Sequence, residues 1–188
     1  MQRLLAGTFL SLALVLFLRV YFTAFPRKKL QIARLSVLSA LAIVFGMIES
    51  FIPDIIIPGV KIGLPNIVVL YLLCYGKKTE ALLVSSLRVV AVGLLRGNLF
   101  QMGGLMSLGG ALLSFAVMTG IKLIYRKSSP IFLSILGALF HGVGQLLVGV
   151  VFLGTWGIFY YYPLMGLLSI VMGAVSGTLT ILVGKRIR

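Results

Sequence analysis

The chain has 188 residues, of which 60% are hydrophobic and 11% are charged, whereas about a quarter of the residues in a soluble domain are charged. Seventeen Lys and Arg against three acidic residues give a net charge of +14, yet no soluble module carries a basic face, which argues against nucleic-acid binding. One cysteine and one histidine exclude an intrachain disulfide and argue against an intrinsic metal or haem centre.

Apolar segments follow one another along almost the whole chain, separated by charges, prolines and glycines. A bilayer core needs about 20 helical residues, and no segment shows the alternation of a membrane β-strand, so each is predicted to be a helix. The third segment is short, and either begins within 55–63 or crosses a thinned part of the bilayer. The seven segments are 4–25, 33–52, 64–76, 80–96, 102–124, 130–153 and 158–184.

The first segment has the basic start and apolar run of a signal peptide. No small-x-small cleavage site follows the run before Pro26, so we expect an uncleaved helix. The predicted fold class is therefore all-α integral membrane. An N-terminal transmembrane helix with a basic linker occupies 1–30, and a six-helix membrane domain occupies 31–188.

Basic residues cluster at every second junction between the segments, as a single topology requires. We therefore expect a multi-pass protein of the cytoplasmic membrane, in contact with its lipids, with the C-terminus in the cytoplasm and the N-terminus outside. The clusters are Arg27–Lys29 with Arg34, Lys77–Lys78, Lys122 with Arg126 and Lys127, and Lys185, Arg186 and Arg188.

Two charged residues, Glu49 and Arg88, lie inside predicted spans, where a charge costs at least about 2.5–3.5 kcal/mol. One interpretation is a buried ion pair that locks two helices together. The other is that one or both residues line a polar cavity.

Further polar residues favour the cavity. His141 and Gln145 are four residues apart and share one helix face. Together with Asn66, Gln101 and Ser107, they fall in the predicted outer half of the membrane. A loop at 53–65, rich in proline and isoleucine, is expected to fold over the bundle as a lid. The candidate ligand-binding residues are Glu49, Lys61, Asn66, Arg88, Arg96, Gln101, Ser107, His141 and Gln145.

Small residues recur at four-residue spacing, as in Ser36 and Ala40 or Gly173 and Gly177. This spacing puts both residues on one helix face and lets another backbone approach closely. The pattern predicts packing between helices of this chain, or docking of a partner membrane protein on one such face.

The runs Glu49–Pro53 and Pro58–Ile67 resemble the Gx transporter family, which also carries the name heptaprenyl diphosphate synthase component I. Further matches are Ser86–Arg88, Ser107–Gly110, His141–Gln145 and Tyr160–Pro163, so the resemblance covers about residues 35–184. Pro65 departs from the small residue expected there.

The resemblance implies a bundle similar to the substrate-binding S components of energy-coupling-factor transporters. Such proteins capture vitamin-like molecules from outside, under a loop that follows their first helix. They dock a membrane coupling subunit through small residues of that helix, a role that would fall here to Ser36 and Ala40.

The first functional hypothesis is a membrane substrate-binding or transport component that captures a vitamin-like molecule, a flavin or a quinone precursor. The alternative is a membrane scaffold subunit of a flavin- or quinone-linked electron-transfer assembly, with a redox partner protein. No catalytic residue is expected, because prenyl diphosphate synthesis needs clustered aspartates to hold magnesium. No intrinsic cofactor is expected either, and a flavin or quinone-like molecule is a candidate for the bound ligand.

Overall fold

The structure, a computed structural model, describes residues 27–51 and 63–187. Within this part of the chain the fold is all-α, as predicted. The helices are α1 (Arg27–Phe51), α2 (Leu64–Tyr75), α3 (Lys78–Leu95), α4 (Met102–Ile124), α5 (Pro130–Leu153) and α6 (Tyr162–Ile187), with a 3-10 helix at Trp156–Tyr161.

The bounds of α4 and α5 coincide with the predicted segments. The last helix begins four residues later than predicted, because Trp156–Tyr161 form the 3-10 helix. The predicted segment at 4–25, and with it the N-terminal transmembrane helix of 1–30, lies outside the described residues.

Four apolar stretches of the described chain are long enough to cross a membrane: Gln31–Phe51, Met102–Ile124, Pro130–Leu153 and Trp156–Arg186. Helix α3 is not among them, since Lys78, Glu80 and Arg88 interrupt its apolar character. Helix α2 is apolar but shorter. The chain is thus a membrane-type helical protein.

Helix α2 is a short internal helix. It begins at Leu64, directly after Gly63, whose left-handed backbone has φ 80° and ψ 25°, a conformation that suits glycine. Residues 55–62, where an earlier start was one of the two alternatives, lie outside the described residues. Its 12 residues extend about 18 Å, against a bilayer core of about 30 Å. Eight of these residues are buried, and α2 packs against α1, α3, α5 and α6.

The position of α2 follows from its two ends. A Cβ added at Gly63 would lie 3.3 Å from Oγ of Ser176, a residue that is about 21 Å along α6 at 1.5 Å per residue. At the other end, the Tyr75 ring lies against Gly184, near the end of α6. Helix α2 therefore begins deep inside the bundle and runs beside the second half of α6.

Helices α4, α5 and α6 pack closely through glycines. A Cβ added at Gly144 of α5 would lie 2.6 Å from the carbonyl oxygen of Gly109 in α4. A Cβ added at Gly173 or Gly177 of α6 would lie 2.7 Å from Cα of Ile135 or 2.5 Å from Cα of Ile131 in α5. The Gly173 and Gly177 pair thus packs within this chain.

Candidate functional site

A cavity of about 120 Å³ lies between α1, α3, α4, α5 and α6, beside the beginning of α2. Its apolar walls include Val69, Val89, Val92, Met118 and Met165. Among the described residues, its polar lining consists of Glu49, Ser50, Asn66, Ser85, Arg88, Arg96, Asn98, Ser107, Ser114, His141, Gln145 and Ser169.

The structure brings most of the predicted site residues together. Those that line the cavity are Glu49, Asn66, Arg88, Arg96, Ser107, His141 and Gln145. Their role in binding a ligand stays a prediction.

Two predicted residues are not placed in the cavity. Gln101 is exposed just before α4, and its Nε2 donates to the carbonyl oxygen of Gly97 at 3.4 Å. Lys61 lies outside the described residues, and so does nearly all of the predicted lid at 53–65.

Glu49 connects three parts of the site. It lies in the last turn of α1 with 6% of its surface exposed, and its carboxylate accepts a hydrogen bond from the backbone N–H of Gly63. A carboxylate at a helix N-terminus interacts favourably with the helix dipole, so Glu49 stabilises the beginning of α2. It also lies close enough to Arg88 to act on it electrostatically.

The two interpretations of Glu49 and Arg88 are therefore compatible. The residues influence each other electrostatically, as a pair that joins α1 and α3 would, and both line the same cavity. The contact with Gly63 is not predicted from the sequence: α1 and α2 are consecutive, but no pattern indicates that the Glu49 side chain accepts a hydrogen bond from the N–H group directly before α2.

Arg88 presents an open donor. Its Nε is buried and has no hydrogen-bond partner among the described residues. A buried polar group left unpaired costs about 1–3 kcal/mol. Gly46 of α1 lets α3 approach here, since a Cβ added at Gly46 would lie 2.9 Å from Val92 Cγ2 and 3.7 Å from Arg88 Cγ.

Gln145 presents an open acceptor on the same cavity. The residue is 3% exposed, and its Oε1 is buried without a hydrogen-bond partner in the described part of the chain. The absence of a side chain at Gly110 of α4 leaves space for this face of α5. A Cβ added at Gly110 would lie 2.9 Å from Gln145 Cγ and 3.0 Å from His141 Cε1.

Sequence reasoning missed five polar residues of the lining: Ser50, Ser85, Asn98, Ser114 and Ser169. Ser114 follows Ser107 by seven residues, so the helical repeat puts both on one face of α4 and is a usable signal. Asn98 enters the lining through the turn after α3, where its N–H donates to the carbonyl oxygen of Gly93 at 3.0 Å.

Other predicted features lie away from the cavity. Ser36 and Ala40 are exposed on α1, on a face that continues with the exposed side chains of Val44 and Ile48. Among the described residues, no three His, Cys, Asp or Glu side chains are grouped as metal ligands.

A family model described as heptaprenyl diphosphate synthase component I matches residues 38–183. This range includes every described residue that lines the cavity. No curated protein matches the chain, and no solved structure does.

Proposed function

The chain belongs to the heptaprenyl diphosphate synthase component I family, also called the Gx transporter family, and from this we propose that it is the substrate-binding component of a membrane transporter. The proposal includes a fold similar to the S components of energy-coupling-factor transporters and capture of a vitamin-like molecule, a flavin or a quinone precursor from outside. A membrane coupling subunit would dock on α1 at Ser36 and Ala40. We propose no catalytic role.

One observation carries the proposal. Two buried polar atoms, Arg88 Nε and Gln145 Oε1, are unpartnered among the described residues and belong to side chains that line one cavity. Buried polar groups in folded proteins are nearly always hydrogen-bonded, so a bound polar molecule would supply the partners that the described residues do not. Sites between helices of a bundle are common places for small ligands.

The test uses a variant that fills the cavity. Ala111 of α4 is 6% exposed and lines the cavity, whereas Ala116 lies on the exposed face of the same helix. The wild type, Ala111→Leu and Ala116→Leu are purified in a mild detergent, and the retained small molecules are identified by mass spectrometry. We expect a stoichiometric compound in the wild type and in Ala116→Leu, and its loss from Ala111→Leu.

Equal retention by all three proteins would place the compound outside the cavity and contradict the proposal. A preparation that retains a redox protein but no small molecule would favour the membrane scaffold instead.

A further inference from the structure

The geometry points to a ligand of defined chemistry: a small monoanion, such as a hydroxycarboxylate, with one anionic group and a separate N–H or O–H donor. This inference rests on the proposed function of the same cavity. Three properties of the cavity carry it: its charge, the nature of its two unpartnered atoms, and its size.

The charge of the described lining favours one negative group. Arg88 and Arg96 contribute two positive charges and Glu49 one negative charge, which leaves a formal charge of +1 when histidine is counted as neutral. Glu49 already interacts with Gly63 and Arg88. A monoanion balances the lining, whereas a dianion or a diphosphate would leave excess negative charge in a helical interior, where an unpaired charge is costly.

The two unpartnered atoms require opposite chemistry. Arg88 Nε donates a hydrogen bond, so it needs an acceptor, and a carboxylate makes the strong, charge-assisted kind. Gln145 Oε1 accepts, so it needs a donor. Arg88 is on α3 and Gln145 on α5, and both helices pack against α4. A molecule with an acceptor at one end and a donor at the other can form hydrogen bonds with both atoms.

The size of the cavity limits the ligand. About 120 Å³ is roughly ten times the volume that one water needs, and it lies below the roughly 300–1,000 Å³ of sites for drug-sized ligands. Met118 and Met165 in the lining suit an aromatic ring, because thioether sulfur contacts ring edges favourably. A single ring with its substituents fits this space better than a complete flavin.

Four probes separate charge from hydrogen bonding. 4-Hydroxybenzoate is a monoanion with a donor, benzoate lacks the hydroxyl donor, 4-hydroxybenzamide lacks the charge, and 4-hydroxyphenyl phosphate is largely dianionic. Affinities for the full chain are measured by calorimetry in detergent after any retained compound has been washed out. We expect 4-hydroxybenzoate to bind at least about tenfold more tightly than each of the others, which corresponds to one charged or well-placed hydrogen bond.

Two variants assign the two ends of the ligand. Arg88→Gln should remove the preference for 4-hydroxybenzoate over 4-hydroxybenzamide. Gln145→Leu should remove its preference over benzoate while leaving benzoate affinity within about twofold, since a benzoate ring makes no hydrogen bond to Oε1. If Arg88 or Gln145 had a purely structural role, its replacement would instead weaken the binding of all four probes together. If Arg88→Gln is not recovered in folded form, Arg96→Gln replaces it. This variant removes the other positive charge of the lining, at its exposed rim, and should reduce the preference for 4-hydroxybenzoate over 4-hydroxybenzamide.

The outcomes separate this inference from the proposed function. Equal or tighter binding of the amide or the phosphate overturns the inference and leaves a ligand-binding cavity. If no probe binds, the compound retained by the wild type decides: a monoanion with a donor supports the inference, and any other compound overturns it. With no probe bound and no compound retained, the proposed function fails as well.

Discussion

Helix α5 contacts both α4 and α6 through backbone atoms, whereas α1 and α3 contact each other through side chains. A Cβ at Gly144 or Gly177 would meet backbone atoms of the neighbouring helix, at 2.6 Å from Gly109 O and 2.5 Å from Ile131 Cα. The three atoms nearest to a Cβ added at Gly46 of α1 all belong to side chains, the nearest being Val92 Cγ2 at 2.9 Å.

The interior charges are also unequally distributed between these two groups of helices. Glu49 and Arg88, the two interior charges singled out in the sequence, are on α1 and α3. Within lipid there is no hydrophobic driving force for helices to associate, so close packing and polar contacts must stabilise a membrane bundle. Backbone packing at glycines joins α5 to α4 and α6, whereas α1 and α3 share an apolar core and also hold these two charges, and both groups of helices contribute residues to the cavity.

The strongest test of this division is Glu49→Ala. It leaves Arg88 buried without its acidic neighbour and removes the acceptor for the Gly63 N–H, and breaking a buried pair from one side costs about 3–5 kcal/mol. Unfolding in detergent is followed by circular dichroism. The control is Glu80→Ala in the first turn of α3, where a favourable helix-dipole contact is worth about 0.3–1 kcal/mol.

A double variant isolates the contribution of the pair. Glu49→Gln with Arg88→Gln removes both charges, so it should be more stable than the sum of the single losses predicts, with a coupling of about 0.5–3 kcal/mol. Strictly additive losses would show that the two residues do not stabilise each other.

The second prediction concerns the glycine-packed half. Gly144→Ala places a methyl group against backbone atoms of Gly109 and Gly110, which cannot rotate away, and overpacking of this kind costs about 1–3 kcal/mol. Gly120→Ala is the matched control, because a Cβ there would meet nothing within 4 Å among the described residues. Equal unfolding free energies for the two variants would show that α4 and α5 are not in close backbone contact.

Much of the fold and of the cavity lining was predictable from the sequence. Ser129 before α5, Pro130 at its first position and Gly154 after it are helix start and stop signals, and the bounds of α5 were predicted correctly. Long polar side chains such as Arg88 and Gln145 were also informative, because lipid excludes them and they must face the interior.

Other parts depend on tertiary contacts. The depth at which α2 begins is set by Gly63 lying against Ser176 and Glu49, which no local pattern encodes. Serines were missed because a hydroxyl can be satisfied by its own helix, as Ser169 Oγ is by donating to Met165 O at 2.8 Å. A serine in an apolar segment therefore does not indicate a cavity.

A third prediction compares a buried serine whose hydroxyl has no partner among the described residues with one whose hydroxyl bonds to its own helix. Ser134 of α5 is fully buried, and its Oγ has no partner among the described residues, so Ser134→Ala should be neutral or stabilise the protein by up to about 1 kcal/mol. Ser169→Ala removes the bond to Met165 O and should cost about 0.6 kcal/mol. Thermal unfolding of both variants in one detergent gives the comparison, and a clear loss in Ser134→Ala would reveal an unrecognised partner of this hydroxyl.

The smallest effect is expected on the exposed face of α1. Ala40 is exposed, whereas Ala42, two residues on, is fully buried. Ala40→Leu should therefore change the free energy of unfolding of the isolated protein by no more than about 0.5 kcal/mol, while Ala42→Leu overpacks the core and should cost about 1–3 kcal/mol. Thermal unfolding of the two purified variants checks this. Equal losses would mean that the Ala40 face is covered within the chain itself, and would leave no room there for the proposed coupling subunit.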